Sequence, residues 1–103
     1  MKAWELTDET GESNFKSLVF ADTAGKAKMQ AFVDSPFLYH TTFEIPYVKV
    51  GVRRFKAFDN CENVSEKEIC LKLIKDWGYW FEIGFNFYDE NNIADFEKIW
   101  GVE

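Results

Sequence analysis

Few residues of this 103-residue chain have the types and spacing that catalysis or metal binding requires. His40 is the only histidine, which excludes a multi-histidine metal site and gives no basis for a Ser-His-Asp triad. Cys61 and Cys70 lack the spacing of zinc ligands, so we interpret both as free thiols, Cys61 in a loop and Cys70 in a core. The sequence therefore predicts no metal, no cofactor and no enzymatic activity.

The densest basic cluster is Arg53-Arg54-Phe55-Lys56. One interpretation is a nucleic-acid-associated accessory protein, in which the cations contact phosphates and Phe55 stacks on a base. The alternative is an edge strand whose charges discourage pairing between sheets. We favour the edge strand, because the chain as a whole carries a net charge of -6.

That negative charge argues against nucleic acid or an anionic membrane as the main partner. Its acidic side chains are typical of a solvated surface, or they mimic nucleic-acid phosphates and block a DNA- or RNA-binding protein. The interspersed lysines and arginines favour the solvated surface. No apolar stretch is long enough for a transmembrane helix, and the first five residues carry no apolar signal segment. We expect a cytoplasmic protein.

Aromatic residues are the better indication of function. Eleven Phe, four Trp and four Tyr exceed what one small core ordinarily needs, and aromatics surrounded by charges are common anchors of protein interfaces. The alternative is that the sheet and the helices bury nearly all of them. The predicted partner-binding residues combine aromatic and acidic groups near the last strand: Trp80, Glu82, Tyr88, Asp89 and Glu90.

The elements that must position these residues begin with a predicted N-terminal hairpin. Trp4 and Leu6 show the alternation of a half-buried strand, and a second strand is expected over residues 15–21. Asp22 or Thr23 then caps a short helix. Its small-residue face is expected to comprise Ala24, Ala27, Ala31 and Phe32.

The sequence of the second half of the chain predicts one more strand, a helix with capping residues at both ends, and a long aromatic strand. Residues 47–55 read as a strand with Val48, Val50 and Val52 on one face. Ser65 and Glu68 form a capping box, and Gly78 has the position of a helix C′ residue.

Residues 79–87 alternate as a strand, with Tyr79, Phe81, Ile83, Phe85 and Phe87 on one side. A last helix has Ile93, Phe96 and Trp100 on one side. Trp77 and Phe81 are the expected core anchors between the second helix and this strand.

The element order ββαβαβα predicts an α+β fold. We expect one domain spanning residues 1–103, with a mostly antiparallel four-stranded sheet and helices on one face.

Residues 1–54 resemble small, mostly uncharacterised proteins of bacteriophages and prophages. The resemblance rests on Met-Lys-Ala-Trp at residues 1–4, Val-Phe-Ala-Asp-Thr-Ala-Gly-Lys-Ala-Lys at residues 19–28, and Val-Arg-Arg at residues 52–54. It covers about half of the chain, and the sequence beyond Phe55 departs from the pattern. The resemblance implies a mobile-element origin and a stoichiometric inhibitor or modulator of a host protein, such as a CRISPR or other defence nuclease, inside the bacterial cell.

Overall fold

The computed structural model describes residues 1–12, 15–83 and 86–100, with the side chains at 83, 99 and 100 outside that description. The chain forms two compact units, residues 1–63 and residues 64–103. The expectation that they make up one domain stays a prediction. The expected core positions at Ile83, Phe85 and Trp100 lie outside the described side chains.

The first unit is built on a three-stranded antiparallel sheet. Its strands are β1 (Lys2–Asp8), β2 (Lys16–Ala21) and β3 (Val50–Arg54), in the order β2-β1-β3. β1 pairs with β2 as the predicted hairpin, and Glu5 of β1 lies opposite Leu18 and Arg53. One face of this sheet packs on a buried apolar cluster: Leu6, Val19, Ala21, Ala27, Ala31, Phe43 and Val50.

The strand predicted over residues 47–55 is shorter than expected. Tyr47–Lys49 form a 3₁₀ turn, in which the Lys49 amide donates to the Pro46 carbonyl at 2.8 Å, and β3 starts only at Val50. The turn breaks the two-residue alternation, so Val48 is 76% exposed while Val50 is buried, and the prediction that they share one face of a strand is wrong.

The helix of the first unit is α1 (Ala24–Met29), which a 3₁₀ turn extends over Gln30–Phe32. Thr23 is the cap, since its hydroxyl oxygen accepts the Lys26 amide at 3.2 Å. Ala27 and Ala31 are fully buried, as the small-residue face predicts, and let the helix lie close to the sheet. Ala24 and Phe32, which were expected on the same face, are exposed.

The second unit begins with α2 (Glu66–Trp77), whose ends match the prediction. The Ser65 hydroxyl accepts the Glu68 amide at 3.3 Å, and Gly78 adopts a left-handed φ of 70° that ends the helix. Trp77 is 46% exposed, so its prediction as a core anchor is wrong. The buried apolar stripe of α2 ends before Trp77, because the chain leaves the helix at Gly78. The side chains of Tyr79 and Phe81 are buried instead.

The predicted aromatic strand is a hairpin. β4 (Phe81–Ile83) pairs antiparallel with β5 (Asn86–Tyr88), with Phe81 opposite Tyr88. The α+β fold with antiparallel sheets is confirmed. The single four-stranded sheet is wrong, because the described strands form one three-stranded and one two-stranded sheet.

The last helix is α3 (Ile93–Trp100), and its fully buried Phe96 packs against the hairpin. The Phe96 ring lies 6.3 Å from Phe81 and 5.7 Å from Tyr88, measured between centroids. This aromatic core fixes which side of the hairpin faces inward.

Candidate functional site

The outward side of the β4–β5 hairpin carries an exposed aromatic pair. Trp80 is 40% exposed and Phe87 is 57% exposed, with their ring centroids 5.5 Å apart. Glu82, also exposed, lies directly opposite Phe87 in the pairing register. Because alternate residues of a strand point to opposite faces, burial of Phe81 and Tyr88 directs Glu82 and Phe87 outward. We call Trp80, Glu82 and Phe87 the hairpin face.

Tyr88 does not belong to this surface. It is 6% exposed, so its prediction as an exposed aromatic contact is wrong, and Phe87 occupies that role instead. The error follows from treating residues 79–87 as one strand. Because the chain turns back between β4 and β5, the residues of β5 face the side opposite to the one that unbroken alternation predicts. Gly84, in the middle of the aromatic run, was the sequence signal for a turn.

The predicted acidic residues after the hairpin have two different roles. Asp89 is half-buried and organises the turn, because its carboxylate accepts the Asn91 amide at 2.9 Å. Glu90 is exposed. The Asn92 side chain joins the turn to β5, accepting the Asp89 amide at 2.7 Å and donating to the Phe87 carbonyl at 2.8 Å. These bonds hold the backbone of the hairpin face in place.

A second exposed apolar surface lies on the first unit, where sequence reasoning did not find it. The Tyr47 ring meets Phe32 at 6.2 Å between centroids, and the Lys28 ammonium lies 4.3 Å from its centre, within cation–π range. Met29 and Val48, beside them in the chain, are well exposed. We call Lys28, Met29, Phe32, Tyr47 and Val48 the basic patch. No local sequence pattern predicts the basic patch, because its two segments are distant in the chain and come into contact only in the folded protein.

The structure does not present Arg53, Arg54, Phe55 and Lys56 as one surface. Arg53 is exposed, 3.8 Å from the Glu5 carboxylate, and Lys56 is exposed as well. Arg54 forms an ion pair with Asp59 and lies over the Trp4 ring. Phe55 is buried edge-on against Phe58, so the prediction that it stacks on a base is wrong. β3 does lie at a sheet edge, as the alternative interpretation predicted.

Cys61, Cys70 and His40 are the residues whose side-chain types have potential for catalysis. Both cysteines are free thiols, as predicted, and burial together with the charge of Glu66 raises the pKa of Cys70 to about 12. A thiol with so high a pKa remains protonated at neutral pH and is a poor nucleophile. The His40 imidazole donates from Nε2 to the Val33 carbonyl at 2.7 Å.

A groove of about 680 Å³ lies between α2 and α3 in the second unit. Leu71 and Ala94 supply its apolar lining, while Lys67, Glu97 and Lys98 contribute charges of both signs. This mixed lining indicates no particular ligand.

Searches of the described residues found neither a metal site nor a membrane span. Within residues 1–12, 15–83 and 86–100, no three His, Cys, Asp or Glu residues are grouped so that they could hold a metal ion. In the same described part of the chain, no helix is long and apolar enough to cross a bilayer.

Comparisons of the sequence with protein-family models and with curated proteins, and of the structure with solved structures, found no match. Function must therefore be argued from the chemistry of the surfaces.

Proposed function

We propose that this chain is a binding protein of phage or prophage origin that inhibits or modulates a host protein by stoichiometric contact through its hairpin face. A CRISPR or other defence nuclease in the bacterial cytoplasm is the proposed class of partner. The single observation that carries the proposal is the exposed Trp80–Phe87 pair beside Glu82. The resemblance of residues 1–54 to phage proteins supports the choice of partner class.

The chemistry of the hairpin face supports protein binding. Large aromatic side chains release much ordered water when a partner covers them, and Trp is enriched among the residues that dominate interface energies. Glu82 and Glu90 add negative charge, which accelerates encounter with a basic partner surface. Nucleases that bind DNA or RNA have such basic surfaces.

The support beneath the hairpin face favours binding without large rearrangement. Phe81 and Tyr88 are buried behind it, and the Asn92 side chain holds the end of β5, donating to the Phe87 carbonyl and accepting the amide of Asp89 just after the strand. A surface held in its binding conformation loses less conformational entropy on association. The hairpin face is thus a preorganised contact surface.

The test is phage plating on bacterial hosts that each contain one active CRISPR or other defence nuclease. We expect expression of the parent chain to restore plating on at least one restrictive host. Trp80→Ala should lose this effect, while Trp77→Ala, which removes a similarly exposed tryptophan outside the hairpin face, should retain it. A parent chain that changes plating on none of the hosts would contradict the proposal.

Binding kinetics with the identified nuclease then locate the contact. Trp80→Ala should raise koff by about thirtyfold, the equivalent of about 2 kcal/mol at an interface hot spot. Glu90→Lys should mainly slow kon and weaken its salt dependence. If both variants bind like the parent while Arg53→Ala does not bind, the contact surface is β3 and not the hairpin face.

The second candidate, a nucleic-acid-associated accessory protein, receives less support. Of its four residues, only Arg53 and Lys56 are exposed, and Phe55 is not accessible to a base. Two cations without an aromatic platform provide little affinity for a single strand at physiological salt.

A further inference from the structure

The basic patch and the hairpin face lie in segments of opposite charge. The segments that form the basic patch, residues 24–32 and 47–49, contain three lysines and no acidic residue. Residues 79–90, which include the hairpin face, contain three acidic residues and no basic one. In a chain with a net charge of -6, exposed apolar side chains thus occur both in a positively charged segment and in a negatively charged one.

The basic patch has the composition of a docking surface. Phe32 and Tyr47 are in ring contact yet both remain exposed, and Val48 is among the most exposed apolar side chains described. Contiguous exposed apolar groups on a small protein commonly mark a binding surface, since water contact with them is unfavourable. Lys28, held over the Tyr47 ring, places a cation within that surface.

We propose that the partner of the basic patch is the hairpin face of a second copy of this chain. Trp80 and Phe87 of one copy cover Phe32, Tyr47 and Val48 of the next, and Glu82 faces Lys28. Charge complementarity selects this occupant, because aromatic groups and acidic groups occur together on the hairpin face. The contact is head-to-tail, so it links copies into a ring or an open chain.

The regulatory consequence of this inference rests on the proposed function, because self-association covers the surface proposed to bind the host protein. Partner binding and self-association then compete for the hairpin face. Monomers predominate at low concentration and have that face available. Higher concentration shifts copies into assemblies in which it is covered.

The first experiment measures the mass of the full chain by sedimentation velocity across a concentration series, at low and high salt. We expect the average mass to rise with concentration, and to rise less at high salt, since ions screen the charge pairing. Tyr47→Ala and Trp80→Ala should each raise the apparent dissociation constant at least about tenfold. Trp77→Ala, the matched control, should associate like the parent. A parent chain that stays monomeric throughout would overturn the inference.

Mixing the two defective variants tests the head-to-tail geometry. Tyr47→Ala retains an intact hairpin face and Trp80→Ala retains an intact basic patch, so a mixture contains one complete contact. We expect a discrete one-to-one heterodimer that does not grow further. If the mixture stays monomeric although the parent associates, the contact is not between these two surfaces. Circular dichroism of each variant verifies folding.

Failure of this inference is distinguishable from failure of the proposed function. Tyr47→Ala should still restore phage plating, because its hairpin face is intact. A monomeric parent that nevertheless restores plating would overturn self-association and leave the proposed function standing. A parent that associates but never affects plating would overturn the proposed function and leave self-association standing.

Discussion

The buried ring of Phe81 and the exposed ring of Trp77 contribute differently to stability. Phe81 packs on Phe96, so Phe81→Ala leaves a cavity and should lower the free energy of unfolding by about 3–5 kcal/mol. Trp77→Ala should cost much less, about 1 kcal/mol, because nearly half of that side chain is already in water. Urea denaturation of the two variants measures both values. Equal losses would show that the inward side of the hairpin is wrongly assigned.

The carboxylate of Glu62 gives stability a pH-dependent contribution. Its side-chain contact with the Met1 ammonium, at 2.6 Å, lowers the pKa of Glu62 below the ordinary 4.5. A lowered pKa in the folded state means that the unfolded chain binds more protons. The stabilisation is thus fully present above the ordinary value and is lost as pH falls through the lowered one.

Comparison of the parent with Glu62→Gln isolates this contribution. The parent should have the higher urea midpoint at neutral pH, and the gap should narrow as pH falls below 4.5. The gap should disappear once Glu62 is protonated in both states. A gap that is the same at every pH would exclude the ion pair as its cause.

At the scale of elements, α2 depends on its N-terminal cap. The Ser65 hydroxyl accepts the Glu68 amide, which otherwise has no partner within the first turn. Ser65→Ala should lower the free energy of unfolding by about 1 kcal/mol. Ser65→Asp should retain the stability, since its carboxylate accepts the same amide and interacts favourably with the helix dipole. Thermal or urea denaturation of both variants is the measurement, and equal stability of Ser65→Ala and the parent would contradict the role.

The elements that local signals specify could be predicted from the sequence. Thr23, Ser65 and Gly78 act within a few residues of their position, and the helices they delimit begin or end where expected. The aromatic run after Gly78 was misread because apolar alternation has the same appearance in one long strand and in two short ones. Only the pairing of β4 with β5 distinguishes the two arrangements. That pairing makes Phe87, and not Tyr88, the exposed aromatic residue.

At the scale of the whole molecule, charge and aromatic exposure are distributed unevenly. The exposure of Trp80, Glu82 and Glu90 could be predicted from their local sequence, and their role as one contact surface stays a prediction. The basic patch could not be predicted, since Lys28 and Tyr47 meet only when distant segments fold together. Arg54 and Phe55 were mispredicted for a different reason: their contacts with Asp59 and Phe58 are local, but they depend on the turn that follows β3, which a strand through residue 55 does not include.

Weak binding to nucleic acid is the expected consequence of this charge distribution. Arg54 is engaged by Asp59, Phe55 is buried, and the net charge of -6 repels phosphates. Duplex and single-stranded oligonucleotides should therefore bind with a Kd weaker than about 10⁻⁴ M at physiological salt. Fluorescence anisotropy with labelled oligonucleotides over a salt series measures this value.

The variant that tests the remaining cations is Arg53→Ala/Lys56→Ala, because both side chains are exposed and their removal leaves the Arg54–Asp59 pair intact. Lys72→Ala/Lys75→Ala, on the exposed side of α2, removes the same charge elsewhere and serves as its control. We expect neither variant to differ from the parent, since there is no appreciable binding to lose. Micromolar, salt-sensitive binding that disappears only in Arg53→Ala/Lys56→Ala would show that β3 contacts phosphates after all. Nucleic-acid binding would then replace host-protein binding through the hairpin face as the better-supported function.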